Sequence, residues 1–121
     1  MNFTPRPTTY NGIPMRSRLE ADIARFLDEE GENWVYEPRA FADRSGTYLP
    51  DFELLDKPHP TYLEAKPLYR RDAEDAMARM EIIWSSIPDA VLMVMFANHE
   101  YAVVTIGRRW ELRRFTDLRA A

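Results

Sequence analysis

Three residues in the middle of the chain have the types and the spacing needed for chemistry on a phosphate group. Asp51 follows a proline, and Glu64 and Lys66 come later, after enough chain for two strands and a turn. The residues around Glu64 predict a β-strand, in which alternation places Glu64 and Lys66 on one face and Leu63 and Ala65 on the other. If the strand that contains Asp51 pairs with this one, the two carboxylates converge beside an ammonium group.

This trio favours metal-assisted hydrolysis of a phosphodiester. Two carboxylates and a backbone carbonyl form a hard oxygen site that suits Mg²⁺ or Mn²⁺. A metal ion there lowers the pKa of a bound water, and a lysine orients that water and stabilises developing negative charge. Of the 16 basic residues only Lys57 and Lys66 are lysines, and lysine is a compact charge whose pKa can move. The alternative is a surface Glu–Lys pair across a strand face.

Two helices and five strands are predicted around these residues. The first helix spans residues 17–30, where Ser17 and Glu20 fit a capping box. The second spans residues 72–87, in which apolar side chains repeat at helical spacing. The strands are predicted over residues 34–36, 47–54, 61–66, 91–96 and 101–106. Pro50 implies an edge or a bulge in the second strand, the last two strands form a hairpin, and the tail from residue 108 is either a short strand or a helical turn.

The predicted order of elements is α-β-β-β-α-β-β. It indicates an α/β or α+β domain with a mixed central sheet flanked by helices. Residues 1–15 contain three prolines and no periodicity, so we expect an extended N-terminal arm followed by a single domain over residues 16–121.

Two short stretches of the sequence resemble the signature of the PD-(D/E)xK nuclease superfamily, in which small phage and mobile-element endonucleases are found. They are Tyr48-Leu49-Pro50-Asp51-Phe52 and Tyr62-Leu63-Glu64-Ala65-Lys66. The resemblance implies a restriction-endonuclease-like core of order αβββαβ and an endonuclease that acts on DNA, with structured or branched DNA as one candidate substrate. It also implies that Asp51, Glu64 and the carbonyl of Ala65 hold the metal. Glu20 would bind through water or a second metal, and Lys66 would be the catalytic lysine.

Glu20 and several arginines have a second interpretation. Glu20 is also the N3 residue of the capping box, and both roles are compatible because the start of a helix favours a carboxylate. The candidate phosphate contacts are Arg16, Arg18, Arg70 and Arg79. The alternative for these arginines is a solvated surface.

Composition limits the class of protein. A chain of 121 residues fits one domain. The absence of cysteine excludes disulfides and thiolate zinc sites. The longest apolar run, residues 90–97, is too short to cross a bilayer, so we expect a cytoplasmic protein without a membrane partner. The net charge of −4 argues against nucleic acid, but an acidic metal site lowers the sum without preventing phosphate contacts elsewhere.

DNA is the expected partner. One domain offers one active site, so cutting both strands requires a homodimer or a larger nucleoprotein complex. Two alternatives stay open. One is a non-enzymatic protein of the same fold that binds DNA or another protein, and the other is a metal-dependent nuclease that acts on RNA or a nucleotide.

Overall fold

The computed structural model describes residues 6–67 and 70–119. In chain order its elements are β1 Thr8–Tyr10, β2 Ile13–Met15, α1 Arg18–Glu29, β3 Trp34–Tyr36, β4 Phe41–Asp43, β5 Gly46–Tyr48, β6 Phe52–Leu54, β7 Thr61–Lys66, α2 Arg70–Met80, a 3₁₀ turn Glu81–Ser85, β8 Val91–Phe96, β9 Tyr101–Ile106, β10 Arg109–Arg114 and α3 Phe115–Arg119. The strands predicted over residues 34–36, 61–66, 91–96 and 101–106 are confirmed.

A six-stranded sheet organises the molecule, in the order β10-β9-β8-β7-β6-β3. Strands β7 and β8 are parallel, and the other neighbours are antiparallel. The chain makes its parallel crossover through α2, as a parallel pair requires. The predicted mixed α/β class with a mixed sheet is therefore confirmed, as is the β8–β9 hairpin.

The sheet is covered on both faces. On one face α1 contributes Ile23 and Leu27 to a core that contains Leu63 of β7. On the other face α2 and the 3₁₀ turn contribute Met80 and Ile83 to a second core. Because side chains alternate along β7, this arrangement leaves Glu64 and Lys66 on the α2 face.

The N-terminal segment differs from the extended arm that we expected. Within residues 6–15 the chain forms a β-hairpin, in which β1 and β2 pair from Thr8↔Met15 to Tyr10↔Ile13. Its Tyr10 hydroxyl donates to Asp28 of α1, and Met15 is buried in the core. These contacts join the segment to the domain, and residues 1–5 lie outside the described part.

Other elements also differ from the predictions. The strand expected over residues 47–54 is divided at Pro50 into β5, which pairs with β4, and β6, which belongs to the main sheet. Strand β4 was not predicted. The second helix ends at Met80 and not at Ile87, because the next turn tightens to 3₁₀ geometry and buries the consecutive apolar residues 82–84. The tail forms both a strand and a short helix.

No helix in the described part of the chain is long and apolar enough to cross a membrane.

Candidate active site

Asp51 and Glu64 lie side by side because β6 and β7 pair in register. The antiparallel pair Phe52↔Leu63 brings the preceding Asp51 level with the following Glu64. The backbone N–H of Ala65 donates to Asp51 Oδ2 at 2.9 Å. The backbone carbonyl of Asp51 accepts from the N–H of Glu37 at 2.8 Å. The structure thus brings together the two carboxylates and fixes Asp51 through backbone contacts on both sides.

Glu64 and Lys66 occupy the same face of β7. Lys66 Nζ lies 3.6 Å from Glu64 Oε2. Glu64 is only 6% exposed, and its other oxygen accepts a hydrogen bond of 2.5 Å from the Tyr48 hydroxyl. Glu64 is therefore held by a phenol on one side and an ammonium on the other. Because Glu64 is buried, the pair is not the surface Glu–Lys pair that was the alternative interpretation of the sequence.

Of the two hydrogen bonds of the predicted capping box, the one to the Ser17 side chain is present, and the Glu20 carboxylate has a different partner. Ser17 Oγ accepts from the backbone N–H of Glu20 at 3.1 Å, so Ser17 is the N-cap of α1. The Glu20 carboxylate is buried, accepts from the Tyr36 hydroxyl at 3.1 Å and shares a hydrogen bond with Asp51. The carboxylate therefore lies in the cluster of acids.

Burial and neighbouring charge strongly perturb the acid–base properties of the cluster. Loss of hydration, then the charge of Glu64 and then the hydrogen bond and charge of Glu20 raise the pKa of Asp51 to about 9, against the opposing N–H of Ala65. Asp51 therefore carries a proton at neutral pH in this arrangement. The proton relieves the repulsion of adjacent carboxylates, which a bound cation would also relieve.

Two tyrosines that the sequence did not identify position the acids. Burial, followed by the charge and hydrogen bond of Glu64, raises the pKa of Tyr48 far above the ordinary tyrosine value. Burial also raises the pKa of Tyr36 to about 12. Both phenols therefore remain neutral donors. The only signal in the sequence was the place of Tyr48 three residues before Asp51.

A cleft of about 600 Å³ opens over the acids and has a basic rim. The predicted candidates Arg16, Arg18 and Arg79 line it, as does Arg6, which the sequence did not identify. Arg16 is two-thirds exposed and forms an ion pair of 2.7 Å with Glu37. The fourth candidate, Arg70, begins α2, but its side chain lies outside the described part.

The acids form a two-carboxylate donor set. Within residues 6–67 and 70–119, no group of three or more His, Cys, Asp or Glu side chains is arranged to hold a metal ion. In this geometry Glu20 is a hydrogen-bond partner of Asp51. The expected set of Asp51, Glu64 and the Ala65 carbonyl needs no third acid, and its all-oxygen chemistry fits Mg²⁺ or Mn²⁺.

No family model matches the chain, and no curated protein is significantly similar to it in sequence.

Proposed function

We propose that this chain is a metal-dependent nuclease that hydrolyses DNA phosphodiester bonds in the cleft above β6 and β7. The observation that carries the proposal is the grouping of Asp51, Glu64 and Lys66 at the floor of a cleft rimmed by arginines. Buried acids beside a lysine are suited to metal-assisted hydrolysis, and exposed cations at the rim are suited to phosphates.

The order of elements supports membership of the PD-(D/E)xK superfamily. Leaving out the two small hairpins, the chain runs α1, β3, β6, β7, α2, β8, which is compatible with the αβββαβ order that the resemblance implies. In this proposal Asp51 precedes the middle strand of the motif, and Glu64 and Lys66 lie on its third strand.

Mg²⁺ or Mn²⁺ is the proposed cofactor, held by Asp51, Glu64 and the carbonyl of Ala65. When bound, the ion polarises the scissile phosphate and supplies a hydroxide at neutral pH. Glu20 is proposed to contact it through water. The raised pKa of Asp51 supports metal binding by Asp51 and Glu64. Without a cation, the repulsion between the neighbouring carboxylates is relieved by a proton, and a bound cation would take the place of that proton.

The side chains around the acids have separate proposed tasks. Lys66 orients the attacking water and stabilises the negative charge that develops on the phosphate. Tyr48 holds Glu64 through its hydroxyl. Arg16, Arg18 and Arg79 bind flanking phosphates and place the strand over the site, and Arg70 is retained as a further candidate. We propose that the protein performs this task in the cytoplasm.

The substrate is tested by incubating the purified protein with Mg²⁺ or Mn²⁺ and a panel of matched nucleic acids. The panel holds supercoiled, linear duplex, single-stranded and four-way branched DNA, with an RNA of the same sequence. Cleavage of at least one DNA form is expected, and it should stop with EDTA. Cleavage of the RNA alone would replace the proposal by a ribonuclease, and no cleavage of any member would contradict it.

A non-catalytic DNA-binding protein of the same fold is the second candidate. It is favoured by the hydrogen bond between Asp51 and Glu20 and by the lack of a three-acid metal group in the described residues. In that case DNA binding would be independent of divalent metal and Asp51→Asn would leave it unchanged. The nuclease proposal expects binding of Mn²⁺, measured by calorimetry, to be lost in this variant.

A further inference from the structure

Strand β10 forms one edge of the six-stranded sheet, and its outer side is open. It pairs with β9 from Arg109↔Ile106 to Arg114↔Tyr101. No backbone hydrogen bond from any described residue reaches its other side. An open edge of six residues is a template for another strand, and proteins normally shorten, cover or charge such an edge.

The edge also carries an exposed apolar side chain at its centre. Leu112 is 60% exposed, the highest value for any large apolar side chain in the described part of the chain. Its neighbours along β10 are charged: Glu111 and Arg113 pair with each other at 3.1 Å on the opposite face. The exposed leucine is thus flanked along the strand by one negative and one positive charge.

The turn before β10 determines which backbone groups point outward. Gly107 and Arg108 form a two-residue hairpin loop, with Gly107 at φ +63° and the pair Ile106↔Arg109 closing it. Such a loop is closed by a hydrogen-bonded pair, so alternate residues from Arg109 onward bond to β9. Trp110, Leu112 and Arg114 therefore present their N–H and C=O groups to the open side.

We infer that β10 pairs with β10 of a second copy of this chain, antiparallel, around a two-fold axis at Leu112. In this register Leu112 faces Leu112 of the partner, and each Trp110 faces an Arg114. These are the residues with outward backbone groups, so about six hydrogen bonds join the strands. Each Glu111 then faces an Arg113 across the interface, on both sides of the axis.

Charge selects this register over its neighbours. A shift of the pairing by two residues in one direction places Glu111 opposite Glu111 of the partner. A shift in the other direction places Arg113 opposite Arg113. Like charges directly opposite each other destabilise a strand pair, whereas the register centred on Leu112 forms two Glu–Arg pairs. The strand is thus complementary to itself, which a two-fold interface requires.

The interface leaves both clefts open. The pairs Leu112↔Val103, Val103↔Val94 and Val94↔Glu64 form one row across the sheet. Three strand spacings separate β7 from β10 in each copy, so the two Glu64 side chains would lie about 34 Å apart across the joined sheet. The dimer therefore supplies two separate sites, although the interface itself does not depend on the chemistry proposed for them.

Charge reversal with restoration tests the interface. Sedimentation equilibrium of the full chain from about 1 µM to 1 mM should show a monomer–dimer equilibrium. Arg113→Glu alone or Glu111→Arg alone should raise the dimer Kd by about tenfold or more. The double variant Glu111→Arg with Arg113→Glu should return it to near the original value. Circular dichroism and thermal unfolding verify that each variant is folded.

Crosslinking tests the register, because the chain contains no cysteine of its own. Under mild oxidation Leu112→Cys should form a disulfide-linked dimer, since paired residues lie within disulfide reach. Arg109→Cys is the matched control and should not, because the two substituted positions lie at opposite ends of the interface. A monomer at every concentration, or a dimer insensitive to Arg113→Glu, would overturn the inference. So would a monomer in which Arg113→Glu lowers DNA affinity, because the edge would then be a nucleic-acid contact.

Discussion

At the scale of single residues, the site depends on acids that are held by neutral phenols. Tyr48 donates to Glu64 and Tyr36 donates to Glu20. The sequence predicted Asp51, Glu64 and Lys66 as a group because residue types and strand alternation determine which side chains share a face. It could not predict the phenols, because their hydroxyls reach the acids only after β3 and the β4–β5 hairpin have been placed by tertiary packing.

Removal of the Tyr48 hydroxyl should weaken both the fold and the site. Tyr48→Phe keeps the ring but leaves an oxygen of buried Glu64 without its donor. A loss of about 1–3 kcal/mol in the free energy of unfolding is expected, measured by urea denaturation. The affinity for Mn²⁺ should also fall, because Glu64 is no longer oriented. Tyr10→Phe is the control, since the Tyr10 hydroxyl donates to Asp28 and Tyr10 does not line the cleft. An equal loss of Mn²⁺ affinity in this variant would contradict the proposed role of Tyr48.

The protonation of Asp51 makes metal binding dependent on pH. Its pKa in the folded chain is about 9, above the ordinary value of 3.8, so the folded chain retains a proton that the unfolded chain has lost. In the absence of metal, the contribution of protonated Asp51 to the free energy of unfolding is therefore fully present below about pH 4, and it is lost as the pH rises through 9. Since a metal must displace this proton, Mn²⁺ affinity should rise with pH over the same range.

Calorimetry in buffers of different ionisation enthalpy measures this coupling directly. Proton release on Mn²⁺ binding is expected at pH 7 and should become smaller as the pH rises towards 9. Asp51→Asn should remove the metal binding. Because its amide resembles the protonated acid and does not titrate, the free energy of unfolding of the metal-free variant should fall less with rising pH than that of the unmodified protein. An Mn²⁺ affinity that is constant from pH 6 to pH 9 would show that Asp51 is not a ligand.

At the scale of elements, the predictions succeeded where the local pattern and the tertiary structure require the same conformation. Strand β8 is a run of apolar residues and β7 is buried over five of its six residues, and both bounds of each strand were predicted. The predictions were wrong where tertiary contacts decide. The β1–β2 hairpin has three-residue strands with little alternation to detect. The strand expected over residues 47–54 is divided because β5, which ends at Tyr48, pairs with β4 and not with the main sheet.

The N-cap of α1 should be worth about 1 kcal/mol, because Ser17 Oγ accepts the N–H of Glu20 that the helix itself cannot satisfy. Ser17→Ala is therefore expected to lower the free energy of unfolding by that amount in urea denaturation. Ser86→Ala, at an exposed position after the 3₁₀ turn, should change it by less than about 0.5 kcal/mol. Equal effects in the two variants would contradict the capping role.

At the scale of the whole molecule, an acidic chain places four arginines around the cleft that holds the acids. The net charge is −4, yet Arg6, Arg16, Arg18 and Arg79 surround the acids. Arg16, Arg18 and Arg79 were individually predicted as candidates, whereas Arg6 was not. Their common location was not, because it depends on the start of α1 and the end of α2 meeting at the same edge of the sheet.

DNA affinity should accordingly depend steeply on salt. Removal of one phosphate contact by Arg18→Ala or Arg79→Ala should lower the slope of log K against log[salt] by about 1 for duplex DNA. Arg25→Ala is the matched control, because Arg25 is an exposed arginine of α1 that pairs with Asp22 and does not line the cleft. Fluorescence anisotropy in Ca²⁺ or EDTA measures binding without cleavage, and an unchanged slope in both cleft variants would remove them from the interface.

The most direct test of the proposed nuclease is the single-turnover rate of DNA cleavage in Mg²⁺ by two lysine variants. Lys66 lies 3.6 Å from Glu64 in the cleft, whereas the other lysine, Lys57, pairs with Glu32. Lys66→Ala should lower the rate at least about a hundredfold, and Lys57→Ala should leave it within about twofold of the unmodified protein. Equal rates for the two variants, or no cleavage by the unmodified protein, would contradict the proposal.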